Sequence, residues 1–218
     1  MPTSEVCVGG FDLASVSSGV VYVRGVWDGD QVTIEPVFEK AYTIKNTFPS
    51  RYEHAQKMLE DSCKIDKEYG LSLCSIEDYI NTSYSMVSFS MGEFGGLVRG
   101  THYSAGFSIL LTRPVIMRSF IADGRPIPKG PPGKRALMRW AEEDFGFVSK
   151  HKKVKERSDC ADAFIHAVIG VYTLFFLQGA PLTLLSPKRQ ETWTHAKKQS
   201  GILDNLEYRL CTPEQCEV

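Results

Sequence analysis

The feature that most limits the fold is an apolar run over residues 163 to 177, AFIHAVIGVYTLFFL, which follows Asp162 directly and is interrupted by His166. It is shorter than the roughly 20 residues that a bilayer core requires, and a helix that is apolar all round needs cover all round. The expectation is therefore a helix buried inside a globular protein, with no membrane as partner.

The covering elements can be read in chain order. Residues 5 to 11 (EVCVGGF) and 19 to 27 (GVVYVRGVW) are short, apolar and β-branched, and 31 to 43 (QVTIEPVFEKAYT) follow a turn at Asp28-Gly29, which predicts three successive strands. From Pro49 the segment SRYEHAQKMLEDSCKIDKEYG carries apolar residues at helical spacing, with Gly70 where a C-terminal cap belongs. That helix crosses to a strand, LSLCSIE, ending at Glu77. Residues 84 to 101 mix Met, Val and Phe with small residues, as in a closely packed helix. A strand over 114 to 118, the loop DGRPIPKGPPG, a helix over 134 to 145 and a last helix capped by Ser158 and reaching 177 complete the pattern.

This order predicts an α/β fold in which a three-strand meander is followed by alternating helices and strands, with helices on both faces of a mixed sheet. At 218 residues one domain is expected, over 1 to 185, with 186 to 218 as a polar C-terminal tail or small helical appendage. The N-terminus MPTSEVCVGGFD has no basic stretch leading into an apolar core, so an intracellular location is expected. The six cysteines, at 7, 63, 74, 160, 211 and 216, lack zinc-ligand spacing and read as reduced structural thiols.

The formal charge of −1 conceals an asymmetry. Residues 113 to 157 hold 12 Lys or Arg against 5 Asp or Glu, so the rest of the chain is acidic. One basic surface on an acidic body would attract phosphate backbones and release counterions on binding, although a solvated face would have the same composition.

Four acids stand at structurally marked positions. Asp12 and Glu77 each close an apolar strand, where sites are often assembled. Asp159 and Asp162 lie three apart at the start of the apolar helix and share a face of it. Taken singly, each could be a solvated strand end or a helix-dipole partner. Together, four acids from three elements supply the oxygen ligands that hard divalent cations need. His166, one turn after Asp162, could face the same place as an acid or base, but packing is the plainer account.

These residues bring a family into view. VGGFDLASVSSGVVYV resembles the first hairpin of RuvC-type Holliday-junction resolvases, in the RNase H-like superfamily, through Gly10, Asp12 and Gly19. SIEDY resembles that family's Ile-Glu strand end, and SDCADAFIHAV its terminal Asp-x-x-Asp-Ala helix. PKGPPGKRALMRWAEEDFG is similar to its Gly-Lys segment, with Lys134 the nearest match and Lys129 and Arg135 beside it. The likeness spans about residues 5 to 178. It departs at Leu13-Ala14, where the family has Pro-Gly, and at the aromatic after the Glu, matched loosely by Tyr79 or Ile80.

The resemblance implies an RNase H-like sheet and a metal tetrad of Asp12, Glu77, Asp159 and Asp162, holding two Mg²⁺ or Mn²⁺ ions per active site. It implies a homodimeric endonuclease that nicks a four-way DNA junction symmetrically. Helices around 92 to 100 and 163 to 177 are candidates for the dimer interface. Lys129, Lys134, Arg135, Lys150, Lys152, Lys153 and Lys155 are the expected DNA contacts. A less selective nuclease for flaps, forks or RNA–DNA hybrids, and a non-catalytic binder of nucleic acid, are the alternatives.

Overall fold

The computed structural model describes residues 3–14, 16–43, 45, 47, 49–78 and 86–200, without the side chains of 86–90 and 195–200. Tyr79, Ile80, Cys211 and Cys216 lie outside the described residues. Strands β1 (Ser4–Asp12), β2 (Ser17–Trp27) and β3 (Val32–Thr43) form an antiparallel meander. Helix α1 (Ser50–Tyr69) ends at Gly70, whose positive φ of 68° closes the helix and turns the chain into β4 (Leu71–Glu77). Then follow α2 (Met86–Ser104), β5 (Ile109–Thr112), α3 (Pro114–Ala122), α4 (Pro131–Phe145), α5 (Val154–Leu177) and α6 (Pro187–Ser200). β4 pairs parallel with both β1 and β5, giving one sheet in the order β3-β2-β1-β4-β5.

The sheet divides the core in two. One cluster, with Phe11, Tyr22, Met58 and Phe94, lies under α1 and α2. The other, with Val8, Val21, Leu73, Phe164 and Val168, lies under α5. The α/β architecture with helices on both faces is the one expected. α5 is the one described helix long and apolar enough to cross a membrane, but 83% of its apolar stretch is buried inside the protein, as befits a core helix. Residues 163 to 177 are therefore part of the core and are not free to form a dimer interface.

α5 sits unusually close to the sheet. A Cβ added at Gly10 would fall 1.9 Å from the Ala163 carbonyl oxygen, and one at Gly19 would fall 2.2 Å from the Asp159 carbonyl oxygen. Only the absence of side chains at these two strand positions lets the helix backbone lie directly on the β1–β2 hairpin.

Three sequence expectations need correction. The strand expected over 114 to 118 is the start of α3; the edge strand is the preceding ILLT, and Pro114 occupies the first turn of a helix, where its missing N–H is no loss. α4 likewise begins earlier than Lys134, at Pro131. Ser158 is not an N-cap: α5 begins at Val154 with Lys153 at the cap position. Ser158 lies inside the helix, buried, with its hydroxyl unpartnered. Asp159 and Asp162 are consequently in the helix body beyond its first turn.

Two ionic groups brace the α3 side. The Asp144 carboxylate accepts bonds from both Arg125 and Arg189, and the Arg189 guanidinium also lies over the Phe120 and Phe145 rings. Arg189 Nε donates to the Phe120 carbonyl at 3.0 Å, and Trp193 of α6 is buried in the same core as α5.

Gly10→Ala should lower stability in urea unfolding by about 2–4 kcal/mol, because backbone rather than a flexible side chain blocks the added methyl. Gly92→Ala, in α2 with open space around it, should instead be neutral or stabilise by up to about 1 kcal/mol. Equal effects of the two substitutions would contradict this packing.

Candidate metal and nucleic-acid site

Parallel pairing brings the C-terminal ends of β1 and β4 to one edge. Phe11 is the register partner of Ile76, so Asp12 and Glu77 follow side by side. Alternation along β1 places Gly10 and Asp12 on the face toward α5, since Phe11 belongs to the opposite core. α5 lies against that face, with Asp159 over Gly19 and Ala163 over Gly10. Asp159 and Asp162 are buried, whereas Asp12 and Glu77 are half-buried at the rim.

The four carboxyls act on one another. Asp12 keeps some exposure as a residue, yet its carboxyl is enclosed enough that burial is the largest influence on it, raising its pKa well above the carboxylate range. The charges of Asp162 and Glu77, a hydrogen bond with Glu77 and the charge of Asp159 push the same way. Asp162 is pushed up to about 7, chiefly by burial; Lys134 and Arg118 oppose the shift, and Glu77 and Asp159 add to it. Asp159 is raised by burial, against the Ser17 hydroxyl that donates to it at 2.5 Å and the charges of Lys134 and Lys155.

Sequence reasoning therefore names the four acids that the fold brings together. It does not find Ser17, which belongs to a small polar run easily taken for a turn, or Arg118, which the misplaced strand put on the wrong element. Pro114, as a helix-starting residue, is the signal that could have placed Arg118. Of the seven basic candidates, Lys134 and Lys155 act on the carboxylates. Lys129, Arg135, Lys150, Lys152 and Lys153 are exposed, and Lys153 pairs with Glu156 at 2.9 Å. His166 is fully buried, and burial lowers its pKa to about 3, so the ring is neutral.

The donor set suits a hard divalent cation: every ligand atom would be a carboxyl oxygen, and burial with mutual repulsion disfavours the ionised acids until positive charge is added. Among the described residues no three His, Cys, Asp or Glu side chains close on a common point as ligands do. The acids share one electrostatic neighbourhood, and like charge alone gives them no reason to contract further.

Asp12 and Asp162 have higher pKa values folded than unfolded, so their contribution to stability falls as pH rises from about 4 to 7, whereas His102 and His166, lowered by burial to about 4 and about 3, contribute the opposite slope below about pH 6.5. Asp61 and Asp28, whose pKa values are lowered, contribute stability that is lost only as pH falls below about 4. Melting in EDTA should accordingly show that Asp162→Asn raises the Tm at pH 8 relative to the Tm at pH 5, compared with wild type, since the histidines act alike in both proteins. A difference between the two pH values that is the same in Asp162→Asn as in wild type would refute the shared burial of these acids.

No family model matches the sequence, and no curated protein matches it. Solved structures do match. A Thermus thermophilus RuvC structure aligns with a TM-score of 0.58 at 13% identity, covering 80% of this chain and 98% of that one. T. thermophilus RuvC in complex with a Holliday junction substrate aligns with 0.57 at 13% identity, over 78% and 96%. The yeast mitochondrial Holliday junction resolvase aligns with 0.53 at 10% identity, over 88% and 81%. The strand order, the helix laid on the hairpin and these likenesses together give the chain the RNase H-like fold of the RuvC-type resolvases.

Proposed function

We propose that this chain is a metal-dependent endonuclease that cuts four-way DNA junctions by paired, symmetric nicks. The observation that carries the reading is the gathering of Asp12, Glu77, Asp159 and Asp162 at one sheet edge, with Lys134 and Arg118 close enough to act on Asp162. The fold shared with RuvC bound to a Holliday junction supports the choice of substrate.

In this reading the four acids are the ligands of two Mg²⁺ or Mn²⁺ ions, which when bound would activate water and stabilise the departing 3′ oxygen. Ser17 fixes the rotamer of Asp159 through its hydrogen bond. Lys134, Arg118 and Lys155 offset the negative charge of the cluster and hold the phosphate next to it. The exposed Lys129, Arg135, Lys150, Lys152 and Lys153 grip the flanking backbone, with selectivity coming from junction shape. Hydrolysis leaves 5′-phosphate and 3′-hydroxyl ends, inside the cell where such junctions occur.

Two symmetric nicks call for two sites, and a C2 homodimer supplies them. Gly92, Gly96 and Gly100 recur on α2 with open space beside each, which leaves that helix available for the second copy.

Asp162→Asn and Glu77→Gln should each lower junction cleavage by about 10³-fold or more while leaving junction binding within a few-fold, since the basic surface is untouched. Lys134→Ala should lower cleavage by about 10–100-fold and lessen the salt dependence of binding. Cleavage retained by either acid variant would overturn the assignment of the site. Equal cutting of four-way, flap and RNA–DNA hybrid substrates would replace junction selectivity with a broader nuclease.

A further inference from the structure

A second polar layer lies under the carboxylates, and the chemistry above makes no use of it. His166 is one helical turn beyond Asp162, so both side chains leave α5 on the same side. The phase of the helix shows which side that is. Ala163 and Ala167 lie against Gly10, and Gly170 lies against Val8, Leu73 and Ser75. Positions 162 and 166 therefore flank the contact line on the side of β4.

His166 is fully buried, and among the described residues no protein group hydrogen-bonds to Nδ1 or Nε2. A second fully buried histidine among the described residues shows what ordinary packing looks like in this protein: His102 uses Nδ1 on the Val98 carbonyl at 2.8 Å and Nε2 on the Ser62 hydroxyl at 2.9 Å. A buried imidazole with two idle nitrogens sacrifices stability that an apolar side chain would keep. Two more buried hydroxyls stand at the same level of the sheet. Ser75 is two residues before Glu77 on the same face of β4, Thr112 is the register partner of Glu77 on β5, and the two bond to each other at 3.0 Å.

We infer that His166 is a positioning residue for the carboxylate site, linked through an internal water to the Ser75–Thr112 pair and holding Glu77 and Asp162 in the orientation that takes a divalent cation. The polar partners that such a water needs are the imidazole and the two hydroxyls. Outer groups of this kind orient ligands and commonly govern metal affinity by 10–100-fold. The inference rests on the reading of the four acids as cation ligands.

The test is titration of the full chain with Mn²⁺ by calorimetry, alongside melting in EDTA, for the wild type, His166→Phe, His166→Gln and Asp162→Asn. His166→Phe should melt at or above the wild-type temperature yet bind Mn²⁺ about tenfold more weakly, and His166→Gln should recover to within about threefold. Mn²⁺ binding by His166→Phe within twofold of wild type overturns the inference. If that variant fails to fold, Thr112→Val decides: a comparable loss of affinity supports the linkage, and unchanged affinity overturns it. A wild type that binds no Mn²⁺, or an Asp162→Asn variant that binds as tightly, removes the carboxylate reading and this inference with it. Wild type and Asp162→Asn behaving as expected, with His166→Phe unchanged, removes this inference alone.

Discussion

The direct contact between the backbone of α5 and the β1–β2 hairpin sets everything else in place. With glycine at positions 10 and 19, the Ala163 and Asp159 carbonyls approach the strands to a distance that any side chain would forbid. That approach fixes the height of α5 over the sheet, and with it the reach of Asp159 and Asp162 toward Asp12. The Ser17–Asp159 hydrogen bond depends on the same closeness. A helix resting on ordinary side chains would stand further off, and acids from the two elements would be separate surface charges.

The second determinant is electrostatic. Crowding four acids at a half-buried edge works against folding, and the protein tempers this with cations borrowed from other elements: Lys134 from α4, Arg118 from α3 and Lys155 from the start of α5. The remaining positive charge in the 113 to 157 segment is mostly exposed. One stretch of chain thus supplies both the groups that make the acid cluster tolerable and a surface suited to polyanions. The opposite face of the sheet has a closed polar network, Tyr22 to Ser62 to His102, in which each group has a partner. His166, beneath the acids, stands in contrast to it, with both ring nitrogens idle.

Much of this was readable from residue order. Local signals marked the meander, α1 with its Gly70 cap and β4 ending on Glu77, because each is bounded by a turn residue or a change of hydrophobic period. The four acids were legible because each stands next to such a boundary. β5 is hard to read because three apolar residues and a threonine, Ile109–Thr112, carry too little periodicity to separate from the helix that follows. The start of α5 was misplaced because Ser158 mimics a cap, whereas the true beginning lies in a charged segment without a capping side chain. Arg118 and Ser17 come near the acids only through tertiary packing, which no local pattern encodes.

The brace formed by Asp144 with Arg125 and Arg189 has a bearing on distant chemistry. α3 carries Arg118 near enough to act on Asp162, while its buried Phe120 is fastened to Arg189 of α6. The C-terminal helix thereby acts as a splint for one of the positive charges nearest the acids. Loosening that splint from the outside would let α3 drift and would retune the acidity of Asp162 without altering any residue that touches it.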